Sequence, residues 1–131
     1  MKYLPPFESI RSAIGISTVR GELRVNLSYE DFVSILRRMI AGIEVDEAWY
    51  LRTYEDIASA IKSGVVSSAK QHFVNDGYFE GRRPFAMSIN ERWYLTQNPD
   101  VADGIREGDI PSAQEHFDES GYQEGRLPFA M

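Results

Sequence analysis

Residues 44–87 and 88–131 align without a gap at a spacing of 44, with about half of the aligned positions identical. Trp49, Tyr50 and Leu51 return as Trp93, Tyr94 and Leu95, and His72-Phe73 returns as His116-Phe117. Gly77-Tyr78, Glu80-Gly81-Arg82 and Pro84-Phe85-Ala86-Met87 return as Gly121-Tyr122, Glu124-Gly125-Arg126 and Pro128-Phe129-Ala130-Met131. A period of this length marks a repeated supersecondary unit, each copy too small to bury its apolar face alone. Two copies also fall short of the three or so that such arrays usually need. Residues 1–43 are therefore expected to act as a cap, and a second subunit is a further way to complete the core.

Within each copy the pattern predicts three short helices. Asp46 and Asn90 stand as N-caps before the segments carrying Trp-Tyr-Leu. A second helix runs from Asp56 to Ile61 and stops near Gly64; its counterpart begins at Pro99, suited to a first helical turn, and stops near Gly108. Ser67 and Pro111 open a third helix that ends at Gly77 and Gly121. The loop that follows holds a Gly for a turn and a Pro that forces an extended exit.

The first 43 residues read differently. Residues 1–12 are expected to be irregular. Ile14, Ile16 and Val19, a turn at Arg20-Gly21, and the alternation of Leu23, Val25 and Leu27 with Glu22, Arg24 and Asn26 predict a hairpin over 14–27. A lone two-stranded hairpin is marginal in water and needs cover, and its open edge invites another chain. Leu23, Val25 and Leu27 are the candidates for self-association. Ser28 then caps a helix whose Tyr29, Phe32, Val33, Leu36, Ile40 and Ile43 fall at helical spacing, with Gly42 suited to its end. The expected architecture is mainly α: two 44-residue three-helix repeats (44–87 and 88–131) packed on an N-terminal helix, with a small N-terminal β-hairpin, in one compact unit.

Composition sets outer limits. A chain of 131 residues with 43% hydrophobic and 26% charged residues is globular in type. It has no cysteine, which excludes disulfides and thiolate metal sites. A net charge of −6 argues against binding a nucleic-acid backbone. The charge is uneven, +2 over residues 1–43, −2 over 44–87 and −6 over 88–131. No apolar run of about 18 residues exists, so no membrane insertion is expected. The start of the chain lacks a signal-peptide pattern, and a cytoplasmic location is the default expectation.

The repeated polar residues are the candidates for function. His72 and His116 are the only histidines, each on one helical face with an Ala and a Phe. A general base or a metal ligand would need a second ligand or a nucleophile nearby, and no such spacing exists. A core histidine bonded to a carbonyl or carboxylate is the simpler reading. Glu80 with Arg82, and Glu124 with Arg126, suit carboxylate–guanidinium pairs that close the loop over the helices. Beside Tyr78 and Tyr122, the same six residues are candidate contacts for a protein partner or a glycan. Trp49, Tyr50, Trp93 and Tyr94 read as core anchors. No phosphate loop, zinc spacing or nucleophile elbow is present, and no cofactor is implied.

Trp-Tyr-Leu-x-x-Asn-Pro-Asp-Val at 93–101, followed by Ser-Ala-x-x-His-Phe-x-x-x-Gly-Tyr-x-Glu-Gly-Arg-x-Pro-Phe at 112–129, resembles a short bacterial helical module. Similar units occur in tandem in large secreted or surface proteins of the repeats-in-toxin type and beside some polysaccharide glycosyltransferases. The first copy departs from the pattern with Tyr54-Glu55-Asp56 in place of Asn98-Pro99-Asp100. The resemblance covers about two-thirds of the chain. It implies an accessory or interaction unit linked to envelope polysaccharide and brings no catalytic residue. The leading expectation is a non-enzymatic adaptor or scaffold that binds a protein partner or itself as a homodimer. The alternatives are a carbohydrate-binding module and, third, an enzyme using His72 or His116.

Overall fold

A computed structural model describes residues 1–131. The chain is mainly α-helical with one two-stranded antiparallel sheet. Contacts gather into two compact units, Met1–Phe85 and Ala86–Met131.

The first unit opens with a one-turn helix, α1 (Phe7–Arg11), where the sequence predicts irregular chain. Its reason is local: Arg11 and Glu8 pair one turn apart, and the Ser12 amide bonds the Glu8 carbonyl. Strands β1 (Ile16–Val19) and β2 (Glu22–Val25) pair with Ile16 opposite Val25 and Val19 opposite Glu22. Arg20 and Gly21 connect them with φ of 53° and 79°. Positive φ at both central residues is the mark of a type I′ hairpin turn, whose twist matches that of the strands. Leu27 lies beyond β2 and is half-buried.

Helix α2 (Tyr29–Ile40) starts where the Ser28 hydroxyl accepts the Asp31 amide. Its apolar stripe is covered unevenly. Ile40 is buried in the first unit's core with Ile43 packed beside it, whereas Tyr29 is 78% and Phe32 48% exposed. The expected stripe is present, but it is graded: Tyr29 and Phe32 are exposed, Val33 and Leu36 half-buried, and Ile40 buried. Arg37 ties α2 to the rest of the unit: it donates to the Asn75 carbonyl at 2.9 Å and lies over the Phe79 ring. Gly42 lies against the N-terminal segment, its carbonyl accepting the Lys2 amide at 2.9 Å; a Cβ there would meet the Tyr3 carbonyl at 1.8 Å.

Helices α3 (Glu47–Thr53), α4 (Glu55–Lys62) and α5 (Ala69–His72) complete the first unit, and α5 continues into a π-helical turn at Phe73–Gly77. In the second unit α6 (Glu91–Gln97), α7 (Pro99–Arg106) and α8 (Ala113–His116) stand 44 residues later, again with a π-helical turn, Phe117–Gly121. Asp46 and Asn90 accept the Trp49 and Trp93 amides at 3.0 Å as N-caps. The third helices are capped by Ser68 and Ser112, one residue later than expected. Gly64 and Gly108, at φ 78° and 85°, end α4 and α7 in Schellman turns: Val65 and Asp109 reach back to the carbonyls of Ala60 and Gly104.

Each unit has its own core. Tyr50, Ile57, Ala69, Phe73 and Ile40 form the first; Tyr94, Val101, Ala113 and Phe117 form the second. Of each Trp-Tyr-Leu triplet the Tyr is the anchor, fully buried, while Trp49 and Trp93 are half-buried.

Candidate functional site

The repeated polar residues pair up in each unit, and in the first unit they form one connected network. In the first unit it starts at the buried phenol of Tyr50, on α3, whose hydroxyl is hydrogen-bonded to His72 Nδ1 at 2.8 Å. His72 is itself buried, and its Nε2 faces Glu80 Oε1 at 3.7 Å. The other oxygen of Glu80 accepts from Arg82 Nε at 2.9 Å. Arg82 then reaches α4, donating through both terminal nitrogens to the two Asp56 oxygens at 2.9 and 2.8 Å. Its guanidinium lies 5.0 Å over the Tyr54 ring.

The second unit is built alike. Tyr94 and His116 Nδ1 are 2.9 Å apart, Arg126 Nε donates to Glu124 at 2.8 Å, and Arg126 forms the same fork with Asp100 at 2.9 Å. Where the first copy supports the guanidinium with the Tyr54 ring, the second uses the Asn98 side-chain oxygen at 3.0 Å. The change from Tyr54 to Asn98 thus replaces a cation–π contact by a hydrogen bond at the same arginine.

This geometry locks the loop onto the helices. The bidentate fork joins the segment after the π-helical turn to α4 or α7. Arg82 and Arg126 are only about one-fifth exposed. Their carboxylate partners raise both guanidinium pKa values, and Asp56 and Asp100 are held below the usual carboxylate range by the arginines that bond them. Burial raises the Tyr50 and Tyr94 phenols. No buried side-chain nitrogen or oxygen lacks a hydrogen-bond partner.

Gly77 and Gly121 make room for the phenol. A Cβ at Gly77 would stand 2.4 Å from the Tyr50 hydroxyl, and one at Gly121 2.2 Å from that of Tyr94. Gly81 and Gly125 serve another need, the left-handed φ of 84° and 79° that turns the loop back. The Pro84 and Pro128 carbonyls then accept the amides of Asp46 and Asn90, at the starts of α3 and α6.

The sequence-predicted contacts therefore divide. Glu80, Arg82, Glu124 and Arg126 lie in the network, bonded to one another and to Asp56 or Asp100. Tyr78 is 40% exposed and meets Phe73 and Phe79 edge to face. Tyr122 is half-buried and meets Phe117. Sequence reasoning missed Asp56, Asp100, Tyr50 and Tyr94 as network partners. Their identity at the 44-residue offset is the signal that could have found them. No group of three His, Asp or Glu side chains is arranged to hold a metal ion.

The other candidate surface is apolar. Ten of the seventeen exposed large hydrophobic residues lie within residues 1–32, so the first quarter of the chain carries most of the uncovered apolar surface. Every residue of β1 and β2 is exposed, with Leu23 at 78% and Val25 at 49%. No helix is long and apolar enough to cross a membrane. No family model, curated protein or solved structure matches the chain.

Proposed function

We propose that this chain is a non-enzymatic interaction protein, in which the duplicated helical units act as the scaffold and residues 1–43 present the docking surface. The observation that carries this reading is the division of labour between the two kinds of residue. The repeated polar groups are bonded to one another, whereas Leu23, Val25, Tyr29 and Phe32 face solvent. Exposed apolar surface of this concentration marks a site of association. Two similar helical units, the first of which also carries the N-terminal helix α2, form the architecture of the proposal. The likeness of residues 93–129 to modules beside polysaccharide glycosyltransferases supports a role in envelope polysaccharide processes.

The test is capture from native-host lysate by the full chain and by a Leu23→Asp/Val25→Asp variant, read by mass spectrometry. Both positions are exposed, so the variant keeps the helical cores intact. Partners retained by the native chain and lost by the variant support the reading. An identical set of partners on both baits contradicts it. Polysaccharide titration of the same pair then examines the alternative, binding through Tyr78, Glu80, Arg82 and their counterparts Tyr122, Glu124 and Arg126.

A further inference from the structure

We draw no further inference here: the strongest candidate, the exposed apolar surface of the N-terminal hairpin and the N-terminal end of α2, carries nothing beyond the reading above, because nothing in the structure shows what covers it.

Discussion

Replacing Gly121 by Ala tests whether the phenol–imidazole pair organises its unit. The new Cβ would lie 2.2 Å from the Tyr94 hydroxyl and 3.4 Å from Cζ of the same ring. The hydroxyl must move, and Tyr94 is fully buried, so the bond to His116 is lost without water to replace it. Leaving a buried polar pair unmade costs about 1–3 kcal/mol, and overpacking adds about 1–3 kcal/mol. The better helix propensity of Ala returns up to about 1 kcal/mol. The net expectation is a loss of about 2–4 kcal/mol, or roughly 10 °C or more in Tm for a unit of this size. Urea unfolding followed by Trp93 fluorescence in a Trp49→Phe background reads the second unit. Tyr94→Phe removes the atom that clashes, so Gly121→Ala in that background is expected to change stability by less than about 0.5 kcal/mol. Gly15→Ala, with open space around it, is the neutral control. Equal losses from Gly121→Ala with and without the Tyr94 hydroxyl would refute the reasoning.

Three further outcomes follow from the network. Arg82→Lys and Arg126→Lys keep the charge but lose the fork to Asp56 or Asp100; each is expected to cost about 1 kcal/mol, discounted for the exposure of the aspartates, as measured by urea midpoint. Asp56 and Asp100 have folded pKa values below their unfolded ones, so the stability they contribute is present above about pH 4 and lost as pH falls through the depressed values. An Asp56→Asn/Asp100→Asn variant is expected to show a shallower acid dependence of the urea midpoint below that pH. Tyr50 and Tyr94 are raised by burial, so their contribution is full below about pH 10 and lost as pH rises beyond it. Tyrosinate absorbance is expected to show two of the seven tyrosines ionising only with the loss of helical signal.

Much of the local structure was legible because its causes are local. Asp46, Asn90 and Ser28 cap the helices they precede, Gly64 and Gly108 end the helices they follow, and Arg20-Gly21 turns the hairpin. What stayed hidden depends on tertiary distance. The bonds from Tyr50 to His72 and from Arg82 to Asp56 span 22 and 26 residues, and no periodicity encodes them. The helical face of the histidines suggests a carbonyl or carboxylate partner, and the partner at Nδ1 is a phenol. The π-helical turns after His72 and His116 arise where the Tyr78 and Tyr122 amides reach back five residues, to Phe73 and Phe117. The α2 pattern correctly gives an amphipathic helix, but spacing alone does not say which part of a stripe the chain itself covers.

Amide hydrogen exchange on the assembly purified under native conditions from host cells, compared with the isolated chain, tests the central claim most directly. The account predicts added protection in the hairpin, residues 16–25, and along α2 at 29–36, with the loops at 78–85 and 122–129 unchanged. Protection confined to those loops, with 16–36 exchanging as in the isolated chain, would contradict it and place recognition on the repeats themselves.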